Sequence, residues 1–378
     1  MDGALRLFAA TPPGLENITQ AELRTLGVEG DKPVPGGVEF DGDLRTLYLS
    51  NLWLRSAQRV LVRLGGFFVV HLAKLRKKMD QVPFESFLTA GVPIAVRATC
   101  RKSKIYHSKA AAERAALAIK ERLGLSYIPY YGEGSPPKEG KQVTVLLRID
   151  RDHCTISLDS SGEHLHRRGY RTHQHEAPLR ENLAAALLYQ MGYDGAVHFW
   201  DPMCGSGTLP IEAALIASRT APGSRRRFAF MDWPGFDEDM WISLVSEAEN
   251  SRQAPSMLIG GSDKDEKAVE MSRHHAKAAG VDEWLRFEPR PVESLALSQV
   301  SGMMLSNPPY GKRIGERNRI KDLYHSLGEC IVRHSEKWRL GLISPDAHLM
   351  ALTGLDMRPC GAVFPNGGLR VRLHCTVK

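Results

Sequence analysis

Apolar and polar positions follow both a strand-like and a helical rhythm within the first 65 residues. ALRLFAA and GGVEF are short apolar runs typical of strands. Between them, GLENITQAELRTLG places Leu15, Ile18, Leu23 and Leu26 on one face of a helix. Further on, Asp43 can cap a second helix before the strand RVLVRLGGFFVV. The pattern predicts a small α+β unit.

The next hundred residues carry the strands IAVRATC and VTVLLRID around an amphipathic, alanine-rich helix. Five basic residues crowd in front of that helix: Arg101, Lys102, Lys104, His107 and Lys109. Their position near the positive end of a helix favours phosphate binding. A solvated charged face explains the same cluster equally well. From this cluster alone, contact with nucleic acid stays an open alternative.

From about residue 166 onward, strands alternate with long helices. The strands are AVHFWDP, SMLIGGSD, LRFEPR, GMMLSNPPYG and RLGLIS. This alternation predicts βαβ units and a mostly parallel sheet covered by helices on both faces. Ligands bind such sheets at the carboxyl ends of the strands. Near the end of the chain, Asn366-Gly367 predicts a two-residue hairpin turn.

Size and composition describe a folded protein of more than one domain. A chain of 378 residues exceeds what one hydrophobic core usually supports. Hydrophobic residues make up 43% and charged residues 25%, which is far from the disordered range. No apolar run approaches the roughly 18 residues of a membrane span, and the start lacks the pattern of a signal peptide. We therefore expect a cytoplasmic protein without membrane contact, and its oligomeric state stays open.

Cysteine spacing and net charge narrow the candidate chemistry further. The six cysteines lie far apart without a Cys-x-x-Cys pair, which indicates neither a zinc site nor a disulfide framework. Two His-x-His pairs in HLHRRGYRTHQH lack a carboxylate or cysteine companion at ligand spacing, so no metal is expected. The net charge of +7 is compatible with a polyanion partner but is also common in proteins that bind no nucleic acid.

A glycine-rich turn follows the first strand of the carboxyl-terminal region, in FWDPMCGSGTLPIEAAL. Gly205 and Gly207 allow the backbone to come close to a ligand. A dinucleotide fingerprint is not supported, because Pro210 replaces its third glycine and Asp263 lies far beyond the expected spacing of about 20 residues. A phosphate-binding loop with a terminal Lys is absent as well. Because Asp201 precedes the turn, we favour a ligand-binding turn over a purely structural one.

Asp263 ends the second strand of this region, and Asp265 follows two residues later. A carboxylate at a strand end can accept both hydroxyls of a ribose. Helix capping is the alternative for both residues, and we assign it to Asp265. The sequence therefore predicts a ribose contact at Asp263.

DPMCGSGT, the strand-end Asp263 and NPPYG, in this order and spacing, resemble S-adenosylmethionine-dependent methyltransferases that modify exocyclic amines. The resemblance implies a Rossmann-like class I methyltransferase sheet and S-adenosylmethionine as cofactor. It also implies cofactor contacts from residues along one edge of this sheet: Pro178, Asp201, Cys204, Gly205, Gly207, Asp263 and Asn307. At one position the chain departs from the pattern, because Pro291 stands where these enzymes usually carry an acid that binds the adenine amine. Glu293 or a backbone carbonyl is left as the substitute.

Further segments are similar to one subfamily, the THUMP-domain RNA methyltransferases that modify a guanine 2-amino group in large-subunit ribosomal RNA. These segments are RKSKIYHSKAAAERA, HRRGYR, APLRENLAAALL, FAFMDWPGF and FPNGG. The resemblance implies an α/β protein with a ferredoxin-like domain (1–65), a THUMP RNA-binding domain (66–165) and the methyltransferase domain (166–378). NPPY is shared with DNA adenine methyltransferases. Alternatives are therefore the same chemistry on tRNA guanine or DNA adenine, and a non-enzymatic RNA-binding assembly factor.

The Asn-Pro-Pro-Tyr corner supplies the expected chemistry. An aromatic amine is a poor nucleophile because its lone pair is delocalised into the ring. The side-chain oxygen of Asn307 and the carbonyl of Pro308 are acceptors that can orient the amine without a strong base. Tyr310 can stack on an extruded base. Cys204 as a nucleophile is the weaker alternative, since no base is near it in sequence and a packing or cofactor-lining role explains it.

Structured RNA, with large-subunit ribosomal RNA first among the candidates, is the partner that the resemblance implies. We expect its contacts from basic residues in three clusters: Arg101, Lys102, Lys104 and Lys109; Arg167 and Arg168; and Lys312 and Arg313. The run Arg225 to Arg227 either is solvated or holds RNA beside the insert that contains FAFMDWPGF.

Overall fold

Two seven-stranded sheets organise the part of the chain that the computed structural model describes. That part comprises residues 3–89, 91–131, 142–171, 179–298, 301–310, 317–334 and 337–377. Helices from the same half of the chain pack on each sheet, and the helix Glu238–Asn250 of the carboxyl-terminal half also joins the core of the first sheet. None of the helices within these ranges is long and apolar enough to cross a membrane.

The first sheet has the strand order β2-β3-β1-β4-β7-β6-β5. Its strands are antiparallel except for the parallel pair of β5 and β6. The strands are β1 (Leu5–Ala10), β2 (Lys32–Val34), β3 (Gly37–Gly42), β4 (Arg59–Phe68), β5 (Ile94–Arg101), β6 (Val143–Asp150) and β7 (His153–Asp159). The helices are α1 (Glu16–Thr25), α2 (Leu44–Trp53), α3 (Leu72–Met79) and α4 (Ser108–Arg122).

Strand β4 joins the two predicted amino-terminal domains into this one sheet. It pairs with β1 on one side and with β7 on the other. The predicted domain boundary at residue 65 falls within β4. Backbone hydrogen bonds therefore run continuously from the part that is predicted to be ferredoxin-like to the part that is predicted to be a THUMP domain.

The second sheet has the strand order β10-β9-β8-β11-β12-β14-β13. The first five strands are parallel, and β14 is antiparallel to both its neighbours. The strands are β8 (Phe199–Asp201), β9 (Ile259–Asp263), β10 (Leu285–Pro289), β11 (Gly302–Ser306), β12 (Trp338–Ser344), β13 (Met357–Asn366) and β14 (Leu369–Thr376). The helices are α5 (Glu181–Gln190), α6 (Thr208–Ala217), α7 (Glu238–Asn250), α8 (Glu266–Ala279), α9 (Arg317–His334) and α10 (Ala347–Ala351).

This second sheet confirms the predicted Rossmann-like α/β class. Its chain order reverses between β8 and β11, which lie side by side. Such a reversal opens a crevice at the carboxyl ends of the two strands, where ligands bind in sheets of this type. The glycine turn after β8 and the Asn-Pro-Pro-Tyr segment after β11 therefore meet at one place.

Two turn predictions can be compared with the structure. Asp43 accepts a hydrogen bond from the Thr46 N–H at 2.8 Å and caps α2, as predicted. The hairpin between β13 and β14 is also present, but Asn366 pairs with Leu369 and the two loop residues are Gly367 and Gly368. Both have positive φ angles, 55° and 78°, which suits glycine at each position of such a turn. The predicted Asn-Gly turn is thus shifted by one residue.

The insert between α6 and β9 packs against the amino-terminal half. Tyr48 of α2 stacks on Phe230 of the insert with ring centroids 4.5 Å apart, and the Gly223 N–H donates to the Leu52 carbonyl at 2.9 Å. Phe228 and Trp233 belong to the same apolar core cluster as the first sheet. The insert therefore holds the two halves of the protein together.

Arg226 takes part in this contact. Its guanidinium donates to the carbonyls of Ser161, Glu163 and His164, and it lies over the ring of Phe228. The suggested grip on RNA is therefore not retained for Arg226.

Candidate functional site

The carboxyl ends of β8 and β11 are joined by a buried hydrogen bond. The Ser306 hydroxyl donates to Oδ1 of Asp201 at 2.6 Å, and the Met203 N–H donates to the same oxygen at 3.0 Å. Asp201 is only 2% exposed. Its carboxyl group therefore fixes the distance between the glycine turn and the residues that follow β11.

Burial makes Asp201 a weaker acid than an aspartate in water. Removal from water raises the pKa of its carboxyl group to about 7, although the hydrogen bonds from Ser306 and Met203 work in the opposite direction. The nearby Asp263 carboxyl group adds to the rise of the pKa. We therefore expect the joint between β8 and β11 to respond to pH near neutrality.

Substitution of Asp201 by Asn should flatten the pH dependence of stability. In the unfolded chain this carboxyl group ionises near pH 4, whereas the folded chain keeps the proton up to about pH 7. The contribution of this carboxyl group to the free energy of unfolding is fully present below about pH 4. It falls by up to roughly 4 kcal/mol as the pH rises to about 7. Urea unfolding of wild type and Asp201→Asn from about pH 4 to about pH 8 measures the difference. Parallel curves for the two proteins would contradict the raised pKa.

The glycine turn is held from two neighbouring elements. The Gly205 N–H donates to Oδ2 of Asp263 at 3.0 Å, and Ser272 of α8 donates to the Gly205 carbonyl at 2.7 Å. A Cβ at Gly207 would lie 2.9 Å from that of Ser272, whereas a Cβ at Gly205 would meet nothing within 4 Å. Gly207 is therefore required for close packing on α8. Gly205 borders open space into which a ligand can extend.

Asp263 is positioned through both of its carboxylate oxygens. Oδ2 accepts from Gly205, and Oδ1 accepts from the Asp265 N–H at 3.0 Å. The residue is partly exposed. Each carboxylate oxygen retains a second lone pair, so the group can still accept two hydroxyl hydrogens from a ligand. Asp265 caps α8 through the Lys267 N–H at 3.0 Å, as predicted.

Cys204 is enclosed inside the turn. Its N–H donates to the Ser262 carbonyl at 2.9 Å, and its sulfur lies 3.9 Å from the Ser272 hydroxyl. Burial raises the pKa of the thiol well above its ordinary range. A protonated, enclosed thiol favours the packing or cofactor-lining interpretation over the nucleophile.

The Asn-Pro-Pro-Tyr segment forms a closed corner after β11. The Tyr310 hydroxyl donates to Oδ1 of Asn307, and the Tyr310 ring packs against the apolar core of the second sheet. Pro308 is buried and Asn307 is partly exposed. Burial raises the pKa of the Tyr310 phenol, with the Asn366 side chain as a hydrogen-bond partner. Because a carboxamide oxygen has two lone pairs, Asn307 can accept one more hydrogen bond.

The segment after β10 shows what stands in place of the expected acid. The Arg290 N–H donates to the Asp263 carbonyl at 2.9 Å, which brings this segment beside the end of β9. The Pro291 carbonyl accepts from the N–H and the hydroxyl of Ser294, each at 3.2 Å. Glu293 is exposed. The Pro291 carbonyl, one of the two suggested replacements for the acid that binds the adenine amine, thus already accepts two hydrogen bonds in a short turn.

The predicted RNA contacts divide into three groups. Arg101, Lys102, Lys104 and Lys109 are all exposed around the start of α4. Arg167 is exposed as well and pairs with Glu163 at 3.2 Å. Lys312 and Arg313 lie outside the described residues, as does the predicted cofactor contact Pro178.

Arg168 differs from this set. It is only 7% exposed, and its guanidinium donates to the carbonyls of Leu165 and Arg55, each at 2.6 Å. Glu212 of α6 lies 3.5 Å from its Nε. Arg168 therefore joins the two halves of the protein, and the predicted RNA contact is not retained for it.

The structure offers no metal centre within the described ranges, where no group of three or more His, Cys, Asp or Glu residues could hold an ion. His164 and His166 stack with centroids 5.2 Å apart. Burial and surrounding arginines lower their pKa values to about 4 and about 3. Both imidazoles are therefore neutral at physiological pH. The second pair, His173 and His175, lies outside the described residues.

Several supporting residues escaped the sequence analysis. Ser306 stands directly before Asn307, and this strand-end position was the one available signal for it. Ser272 and His275 reach the turn from α8, where His275 Nδ1 lies 3.1 Å from the Ser206 carbonyl. Arg171 donates to the Thr208 hydroxyl at 2.6 Å and so ties the segment before α5 to the start of α6. Such contacts leave no local pattern.

Two family models match this chain. The model described as RMKL-like, methyltransferase domain matches residues 168–359, and the model described as RlmL ferredoxin-like domain matches residues 6–61. Together they cover the five parallel strands of the second sheet, β8 to β12, and the strands β1 to β3 of the first sheet.

Curated relatives and a solved structure are similar over nearly the whole chain. Two proteins called Ribosomal RNA large subunit methyltransferase K/L, from Syntrophotalea carbinolica and Methylococcus capsulatus, are 38% and 33% identical over 99% and 97% of this chain. The alignments cover 53% and 50% of those relatives, so the chain spans about half their length. The crystal structure of SMU.472 complexed with SAH has a TM-score of 0.87 and 29% identity, and the match covers 100% of both chains.

Proposed function

Because the chain belongs to the family of RMKL-like methyltransferase domains, we propose that it methylates the 2-amino group of a guanine in large-subunit ribosomal RNA. S-adenosylmethionine is the proposed methyl donor. The names of the two relatives support the choice of ribosomal RNA. The structure that shares the whole fold was solved with SAH, the product form of this donor, which supports the choice of cofactor.

The residues at the end of β8 and β9 fit such a donor. Asp263 has a free lone pair on each carboxylate oxygen for the two ribose hydroxyls, and Gly205 borders open space beside it. Because Asp201 is buried, it supports the glycine turn and does not face the ligand. When bound, the donor supplies a methyl group activated on a sulfonium sulfur.

The proposed role of Asn307 and Pro308 is to prepare the guanine amine. The Asn307 side-chain oxygen and the Pro308 carbonyl each accept one amine hydrogen, so the lone pair of the nitrogen turns away from the purine ring. The nitrogen then forms a bond to the methyl carbon as the carbon–sulfur bond breaks, and the amine afterwards loses a proton to water. Fixed acceptors favour this arrangement without a strong base.

The observation that carries the proposal is the direct connection between the two halves of the site. Ser306, which immediately precedes Asn307, is hydrogen-bonded to Asp201, which immediately precedes the glycine turn. The amine-orienting corner and the donor-binding turn are therefore neighbours at the reversal point of one sheet. In such sheets this is the position where ligands bind.

The proposal is tested with the purified chain of 378 residues, radiolabelled S-adenosylmethionine and three nucleic acids. We expect label in 2-methylguanine of protein-free large-subunit ribosomal RNA, and at most a few per cent of that rate on tRNA or duplex DNA. Label in DNA adenine or in tRNA guanine would replace the proposed substrate. Binding of RNA without any binding of S-adenosylmethionine by calorimetry would favour an assembly factor.

A further inference from the structure

One face of the first sheet is rich in arginine. The other face is apolar: Leu7, Val62, Leu158, Val145 and Val96 form a buried row across five neighbouring strands. Side chains alternate between the two faces of a strand. The residues between these positions therefore point away from the core, on the opposite face.

Pairing across the strands shows what that opposite face presents. Arg63 of β4 is opposite Ser157, Ser157 is opposite Leu146, and Leu146 is opposite Arg97. Two residues along, Thr155 is opposite Arg148. The arginines of β4, β5 and β6 thus share one surface across the seam between the ferredoxin-like and THUMP-like parts.

A cleft of about 480 Å³ crosses this surface. Five side chains with a permanent positive charge line it, against two carboxylates, Glu39 and Asp150. The five cations are Arg63, Arg101, Lys102, Arg148 and Arg151. Asp150 already pairs with Arg148 at 3.2 Å. The cleft therefore keeps a net positive charge.

Two tight loops hold three of these cations at one end of the cleft. Lys102 and Arg151 have positive φ angles, 47° and 51°. The Arg151 N–H donates to the Arg101 carbonyl at 3.1 Å, and the Asp152 N–H donates to the Ser103 hydroxyl at 3.0 Å. The loops are thus joined to each other. Non-glycine residues are uncommon in this backbone conformation and are retained where the surroundings enforce it.

Arg63, which lines the cleft, is held by two contacts. It lies over the Phe8 ring at 4.0 Å and donates to the Ser157 hydroxyl at 2.8 Å. Burial lowers the pKa of its guanidinium to about 10, which still leaves it charged at neutral pH. A guanidinium held in this way loses little side-chain freedom when it binds an anion.

We infer that this cleft binds consecutive backbone phosphates of the RNA substrate, so that the RNA lies across the seam of the first sheet. The inference rests on the proposed RNA substrate and adds the surface that anchors it. Planar guanidinium groups on a concave, positively charged surface match phosphate oxygens, and such contacts fix the position of the nucleic acid without reading its sequence.

The test removes three charges from the cleft without disturbing its backbone. In the full chain, Arg148→Gln, Lys102→Asn and Arg151→Asn are combined, because asparagine tolerates positive φ angles. Affinity for protein-free large-subunit ribosomal RNA is measured by filter binding over a range of salt concentrations. We expect affinity to fall on the order of tenfold, and the slope of log affinity against log salt to fall by about 2.

The matched control removes the same number of positive charges at exposed arginines elsewhere in the protein, each of which is paired with an acid: Arg24→Gln, Arg45→Gln and Arg358→Gln. Its RNA affinity and salt slope should stay within twofold of wild type. For the cleft variant, affinity for S-adenosylmethionine should match wild type, which shows that the second sheet is intact.

The outcomes separate this inference from the proposed function. If wild type methylates ribosomal RNA but the cleft variant binds it with unchanged affinity and slope, the inference is wrong and the function stands. An equal loss of affinity in the control variant would also overturn it, since net charge alone would then explain the effect. If wild type methylates no ribosomal RNA, the proposed function itself fails.

Discussion

Asn307→Ala is expected to lower the rate of methyl transfer by at least about 100-fold while affinity for S-adenosylmethionine stays within twofold. The side-chain oxygen is the proposed acceptor that orients the amine, and removal of one preorganised polar group from such a site costs on the order of 10² to 10³ in kcat. Single-turnover transfer to ribosomal RNA and calorimetric titration of the cofactor measure the two quantities separately.

Tyr310→Phe is the matched control for Asn307→Ala. It removes the hydroxyl that donates to Asn307 but leaves the aromatic ring in place. Because the Asn307 oxygen remains available to the substrate, we expect transfer within about tenfold of wild type. If Asn307→Ala transferred methyl groups at a nearly normal rate, the proposed amine-orienting role of Asn307 would be wrong.

Asp263→Ala is expected to weaken binding of S-adenosylmethionine by at least about 100-fold. Each hydrogen bond to a charged carboxylate contributes about 1.5 to 3 kcal/mol, and the substitution also frees the Gly205 N–H that the carboxylate holds. Isothermal calorimetry with the purified chain gives the change in Kd directly. Transfer at saturating cofactor should fall far less than affinity.

Asp265→Ala separates the ribose contact from helix capping. Asp265 caps α8 through its side chain, whereas it contacts Asp263 through its backbone N–H. Its loss should therefore cost about 1 kcal/mol of stability and leave cofactor affinity within twofold. Equal losses of affinity in both variants, or unchanged affinity in Asp263→Ala, would argue against the ribose role.

The sequence was sufficient to predict the architecture around the site. Alternating strands and helices indicated a parallel sheet, and the carboxyl ends of parallel strands meet at one edge. The strand ends at Asp201, Asp263 and Asn307 could therefore be placed side by side from the sequence alone. The hydrogen bond between Ser306 and Asp201 realises that expectation.

What escaped prediction depends on contacts between distant parts of the chain. Arg168 looks like an exposed cation in sequence, but carbonyl groups of Leu165 and Arg55 enclose it. The arginines on the arginine-rich face of the first sheet are scattered among β4, β5 and β6. Only the register of the strands brings them together. No local pattern reveals which strands are neighbours, so these features required the fold.

The docking of the insert on α2 has a consequence for how a target nucleotide is chosen. Tyr48 and Phe230 hold the first sheet against the insert of the second half of the chain. The protein therefore sets the separation between the cleft of the first sheet and the Asn-Pro-Pro-Tyr corner of the second sheet. On the proposed function and the proposed RNA-binding cleft, a guanine would be selected by how far it lies, along the folded RNA, from the segment bound in the cleft. Substrates with identical bases around the target but a longer or shorter intervening stem should be rejected.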